Sequence, residues 1–176
     1  SKKSEVIWSD NWQENWDNLP TIKGSLSNGL LKVLDIKPKV EKQFETTNTQ
    51  AYEYFLKGKH KFEKREHTED IEIARGFINR AIELDDNLIY AKNMLARVIY
   101  NQGDIEKSLA MYGKNIKQAI ELRDDYSLAQ SYMYKGNGLW EESKYEKALA
   151  NFSHALPIFK QLNSRHYMLN TLNNIG

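Results

Sequence analysis

The stretch "EKALANFSHALPIFKQLNSRHYMLNTLNNIG" (146–176) decides the fold, because a version of it stands 40 residues earlier. That earlier version is "EKSLAMYGKNIKQAIELRDDYSLAQSYMYKG" (106–136), and the two align without a gap. Leu149 falls on Leu109, Ala150 on Ala110, Phe152 on Tyr112 and Gly176 on Gly136. A third copy, "IEIARGFINRAIELDDNLIYAKNMLA" (71–96), sets Ala74 where Ser108 and Ala148 fall. Its preceding segment, "AYEYFLKGKHKF" (51–62), offers Gly58 as the counterpart of Ala96, Gly136 and Gly176. Self-similarity at such a period marks a supersecondary unit repeated along the chain.

Each copy follows one internal logic. A first helix carries aromatic and aliphatic residues with a small residue midway. A short polar turn follows, "NQGD" (101–104) or "EESK" (141–144). A second helix then sets small residues, Ala74, Ala81, Ser108, Ala148 and Ala155, where neighbouring helices approach closely. Ile78, Tyr112 and Phe152 fill the space between them. Neither helix buries its apolar stripe alone, so the units must stack into a solenoid.

This pattern resembles the tetratricopeptide repeat family. Its Ala-x-x-x-aromatic-x-x-Ala motif is intact in "ALANFSHA" (148–155). It is degraded in "SLAMYGKN" (108–115) and in "ARGFINRA" (74–81), and Asp86 stands where a closing proline is usual. The 40-residue spacing is similar to the longer-helix subtype of kinesin light chains and bacterial regulatory proteins. The resemblance spans 49–176 and implies an all-α, right-handed superhelix of antiparallel helix pairs: three repeats plus the first helix of a fourth. It also implies a protein or peptide partner and no cofactor. The first copy carries an insertion, since Gly58 to Ala74 spans 16 residues where Ala96 to Ser108 spans 12. The charged "EKREHTED" (63–70) reads as a longer, solvated turn.

Residues 1–48 read as the remnant of a preceding domain with a linker helix. "VIWSDNWQENW" (6–16) places Trp8, Trp12 and Trp16 at every fourth position, a spacing that gathers side chains on one side of a helix. "EVIW" (5–8) reads as a strand end, and 17–38 as a helix with Pro20 in its first turn. Pro38 ends that helix, and Thr47 to Thr49 supply a cap for the first repeat helix. Trp8, Trp12 and "LLKVLDI" (30–36) resemble the junction in bacterial class III adenylate/guanylate cyclases, where a TolB-like domain precedes tetratricopeptide repeats. No catalytic residue of a cyclase has a counterpart here. The tryptophans are expected to pack in a domain seam, with a dimer or partner face and a carbohydrate platform as alternatives.

Bulk properties agree with an ordinary globular chain: 176 residues, 40% hydrophobic, 28% charged and a formal net charge of +1. A balanced charge excludes a global nucleic-acid or anionic-membrane signature. Zero cysteines exclude disulfides and thiolate metal sites and suit a cytoplasmic setting. No apolar run approaches the roughly 20 residues of a membrane span, and no signal peptide is evident. His60 and His67, beside Glu63, Glu66 and Glu69, read as a solvated charged segment rather than a metal site. No nucleophile–base pair or glycine-rich phosphate loop stands out. Asp85-Asp86 and Asp124-Asp125 are expected to cap the helices that follow them.

The family's geometry places first-helix residues along a concave groove. Copy one offers Tyr52, Phe55 and Lys59; copy two offers Tyr90, Asn93, Arg97 and Tyr100. Copy three offers Gln130, Met133, Asn137 and Trp140, and the partial copy Asn170 and Asn173. Asparagines both donate and accept toward an extended backbone, and Arg97 meets carboxylates. Asn93 fits the carboxylate clamp of some chaperone-binding relatives, but Phe55, Gln130 and Tyr134 do not. Leu169, Leu172 and Ile175 lack a covering second helix, which predicts a piece of a longer protein or a homodimer through that helix or the Trp-rich segment. The expected function is a non-catalytic interaction scaffold, the regulatory region of a bacterial signalling protein such as a cyclase. The alternative is a chain that itself catalyses or holds a metal or small molecule in the groove.

Overall fold

The computed structural model describes residues 48–174, which belong to one compact unit. The expectations for the tryptophans, the strand end, the 17–38 helix and Ile175 fall outside the described residues. Among the described residues seven helices follow one another: α1 (Thr49–Glu63), α2 (Thr68–Leu84), α3 (Ile89–Asn101), α4 (Ile105–Leu122), α5 (Asp125–Glu141), α6 (Tyr145–Gln161) and α7 (Arg165–Asn173). Each packs against the next, and the first helices also touch one another, α1 against α3 and α3 against α5. This is the all-α solenoid of stacked helix pairs that the 40-residue echo demands.

The small-residue stripe is where the helices meet. Ala74, Ala81, Ser108, Ala148 and Ala155 are fully buried, as are Ile78 and Phe152, with Tyr112 nearly so. The Ser108 hydroxyl donates to the Ala96 carbonyl at 2.9 Å. Serine therefore replaces alanine there without leaving a buried donor unpaired, which would cost about 1–3 kcal/mol. Asn115, the other departure from the alanine pattern, is likewise buried and bonded, donating to Asn93 Oδ1 at 3.0 Å.

The turns repeat as faithfully as the helices. Gly103 and Ser143 both take positive φ, 90° and 59°, and stand 40 residues apart. Arg123 and Asn163, also 40 apart, take φ of 56° and 55°. Left-handed residues of this kind end helices, so the same backbone reversal recurs even where glycine is absent.

Helix starts follow the sequence in part. Asn48 caps α1 by accepting from Ala51 N at 3.0 Å, and Asp104 and Asp124 cap α4 and α5 in the same way at 3.1 and 3.0 Å. Asp85 does not cap the helix after it. It closes α2, its carboxylate accepts from Asn87 N at 3.0 Å, and Leu88 takes the N-cap position of α3. The insertion in the first copy is also not simply a longer turn. α2 begins six residues before Ala74, whereas α4 begins three before Ser108, so most of the extra chain is helix. Asp70 makes that extension possible: its carboxylate accepts from Glu66 N and His67 N at 2.9 and 3.2 Å and pairs with Lys61 at 2.6 Å. Those partners hold the carboxyl far below the usual aspartate range, the Lys61 bond contributing most.

Candidate functional site

The first helices α1, α3, α5 and α7 carry the residues expected to face the groove, and packing divides them into two groups. Toward the N-terminal ends of these helices the positions are closed. Phe55 is buried, and Tyr90 meets its ring edge-on at 4.8 Å. The aromatic row continues from Tyr90 to Tyr126 at 6.1 Å, and from Tyr126 to Tyr167 at 5.7 Å. Tyr52 and Gln130 are buried in the same region, and the Gln130 amide nitrogen lies 3.4 Å from the Tyr126 hydroxyl. Lys59 is partly exposed and faces Glu63 at 3.9 Å.

Asn93 is buried as well. Its Nδ2 donates to the Ser127 carbonyl at 3.0 Å, and its Oδ1 accepts from Asn115 Nδ2 at 3.0 Å. The Ser131 hydroxyl lies 2.7 Å from the same oxygen and 2.8 Å from the Ser127 carbonyl, with one proton for both. Asn93 thus joins α3, α4 and α5, and its hydrogen-bonding capacity is spent on the scaffold. Tyr100 packs toward Gly138, and its hydroxyl is enclosed without a hydrogen-bond partner among the described residues.

At the other end the groove is open. Arg97, Met133, Asn137, Asn170 and Asn173 are brought together on the wall of a cavity of about 460 Å³. The same wall includes Tyr134, His166, Tyr167, Asn174 and the acid Glu63, which sequence reasoning did not select for the groove. A second cavity of about 300 Å³ is lined by Trp140, Glu141 and Phe152, and shares Asn137, Asn173 and Asn174 with the first. Asn174 Nδ2, at the C-cap of α7, donates to Asn137 Oδ1 of α5 at 2.8 Å, and both residues line both cavities. Asn170 and His166 lie 3.2 Å apart along α7. Trp140 is 40% exposed and stands edge-on to Tyr145 at 4.9 Å.

Arg97 is held in place by rings rather than by acids. Its guanidinium lies 5.6 Å from the Phe62 centroid and 5.0 Å from that of Tyr134, and one nitrogen reaches Met94 Sδ at 3.8 Å. Cation–π contacts of this type contribute about 0.5–2 kcal/mol each. Among the described residues no carboxylate forms an ion pair with it. Burial raises the Tyr134 phenol to about 12, with Arg97 pulling the other way. The signal for Tyr134 was present in the sequence, since it sits one helical turn before Asn137. Phe62 likewise lies one turn after Gly58 on α1.

Among the described residues no three His, Cys, Asp or Glu side chains gather as a metal site, and no helix is long and apolar enough to cross a membrane. Residues 87–161 match the tetratricopeptide repeat family. The matched span takes in α3 to α6, and the α1–α2 pair outside it repeats the same packing. No curated protein matches the chain.

Proposed function

We propose that this chain is a non-catalytic interaction module that binds an extended peptide, or a segment of a protein partner, in the open half of its concave groove. The juxtaposition of Arg97, Asn137, Asn170 and Asn173 around one solvent-open cavity supports this reading most directly. Amide side chains there serve both the donors and the acceptors of a backbone lying across them, and the flanking tyrosines supply contact area. The match of 87–161 to a repeat family whose members bind proteins and peptides points the same way.

The cellular context rests on the N-terminal residues. Trp8, Trp12 and "LLKVLDI" (30–36) support placing the module in a bacterial signalling protein such as a nucleotide cyclase, as its regulatory region. A cytoplasmic location and a homodimer through α7 or the Trp-rich segment belong to the same reading. A cyclase domain encoded upstream in the parent gene is the expected finding, and nucleotide turnover by the chain alone counts against the module being non-catalytic.

The groove is tested by capture from the source cell's lysate with wild type and with Arg97→Glu plus Asn137→Ala. The double variant is expected to lose the proteins that wild type retains while keeping its helical circular dichroism. Identical capture by both proteins removes the groove as the site.

A further inference from the structure

The outer face of the second and third copies, turned away from the groove, carries cations that no acid of the described residues balances. The first copy pairs its own: Lys57 with Glu53, Lys61 with Asp70, Arg75 with Glu72 and Arg80 with Glu83. Further along, Lys114, Lys117, Lys135 and Lys147 form no ion pair among the described residues. The sequence explains the difference, because Asp and Glu are absent from 107–120, 126–140 and 147–164. From α4 onward every acid stands in a first turn, a last turn or a loop, Glu106 and Glu121 on α4 and Glu146 on α6 among them.

Three helices bring these cations onto one surface. Lys114 and Lys117 are exposed and one turn apart on α4. Lys135 of α5 lies back against α4, its Nζ 3.7 Å from the place a β-carbon of Gly113 would take, and Gly113 is one turn from Lys117. Tyr132, one turn before Lys135, meets the His154 ring of α6 at 4.9 Å. Lys147 stands exposed two turns before His154 on α6. Lys135 and Asn137 are two residues apart, about 200° of helix turn, so this surface lies on the side of α5 opposite the groove. Ile120, 54% exposed, borders it one turn beyond Lys117.

We propose that this face is a second docking surface, separate from the groove, for a short acidic segment of a partner protein whose apolar residue covers Ile120. A single exposed ion pair contributes little. Like charges held on three packed helices sum their fields, so a segment with several acids gains from all of them at once. The acids missing from the middle of the face fence its ends. Glu121 follows Lys117 by one turn without pairing with it, and Glu106 stands at the other end of α4. Between them the acid-free run 107–120 rises about 20 Å, which an extended chain crosses in about six residues. A nucleic-acid duplex carries a charge every ~1.7 Å without a break and would run across Glu106 or Glu121. An anionic bilayer would meet the acids of the turns as well. A short segment avoids both.

The probe is a displayed random peptide library, selected on the full 176-residue chain and counter-selected on Lys114→Glu plus Lys117→Glu, both changes at exposed positions. The surviving peptides are expected to hold at least two acids within about six residues, beside a large apolar residue. Their affinity is expected to fall at least tenfold in the lysine variant, to weaken as salt rises, and to stay unchanged in the groove variant Arg97→Glu plus Asn137→Ala. Survivors without acids, or no survivors at all, overturn the proposal and leave the groove reading standing. Acidic peptides lost by the groove variant and kept by the lysine variant overturn it too, since the groove then holds them. A short DNA duplex or phosphatidylserine vesicles bound more tightly than any peptide, and released by the same lysine variant, also overturn it, because the face then reads a polyanion rather than a partner segment.

Discussion

A β-carbon placed on Gly136 would stand 2.5 Å from Cε1 of Phe152, closer than any two such atoms can sit. The glycine of α5 is therefore a seat for the ring of α6. Gly58 has the same relation to Ile78, whose Cγ1 would lie 2.6 Å from an added β-carbon. Phe152 is fully buried and has nowhere to retreat without disturbing its own neighbours.

Gly136→Ala is expected to destabilise the fold by about 1–3 kcal/mol, the usual cost of overpacking, although alanine is the better helix former. Gly76→Ala makes the contrast. Nothing lies within 4 Å of a β-carbon there, and the residue is exposed within α2, so the change should stabilise by about 0.5–1 kcal/mol. Urea unfolding of the pair decides: shifts of the same sign in both variants would refute the seat.

The echo at 40 residues made this geometry legible before any coordinates, because the small-residue stripe and its facing large residues recur in three copies. The groove was legible only in outline. Family position placed Asn93 and Arg97 together on one helix face, but Asn93 lies inward among Asn115, Ser127 and Ser131 while Arg97 opens outward. Four residues on a helix turn about 400° rather than a full circle, and that offset separates core from groove. The longer α2 was hidden for another reason: Asp70 reads as part of a charged run until its two backbone partners are seen. Pro157 also gave no hint that α6 would run through it to Gln161.

Removing the Asn93 side chain leaves the buried Asn115 amide without its partner, while the Ser127 carbonyl keeps the Ser131 hydroxyl. One orphaned buried donor costs about 1–3 kcal/mol, so Asn93→Ala is expected to destabilise by about that amount. The effect should couple with Asn115→Ala, since the second change removes a group the first has orphaned. A double-mutant cycle on unfolding free energies measures this, and strict additivity would show that the network is not shared.

Ser143 occupies the left-handed turn position that Gly103 fills 40 residues earlier. A residue with a β-carbon pays about 1–2 kcal/mol for that conformation, while glycine loses more backbone freedom on folding. The balance favours Ser143→Gly by up to about 1 kcal/mol. Thermal unfolding should report a modest rise in Tm for Ser143→Gly and no comparable rise for glycine placed at the helical Ser153.

Alkaline pH should unfold the solenoid through its tyrosines. Burial raises Tyr90, Tyr112 and Tyr126 well above the ordinary phenol value and takes Tyr134 to about 12. Neighbouring tyrosines add to the rise at all four, while Arg97 opposes it at Tyr112 and Tyr134. With the folded pKa above the unfolded value near 10, the unfolded chain binds fewer protons above pH 10, and stability falls as pH rises. Below pH 10 the contribution is fully present. The phenolate absorbance of these four rings is therefore expected to grow in step with the loss of helical circular dichroism, not ahead of it. Tyr112→Phe removes the hydroxyl from the most enclosed of these rings and should move the alkaline midpoint upward while leaving neutral-pH helicity unchanged. Ionisation of all tyrosines near pH 10 with helicity intact would mean that these rings are open to water, and the packing of α4 against α5 would have to be redrawn.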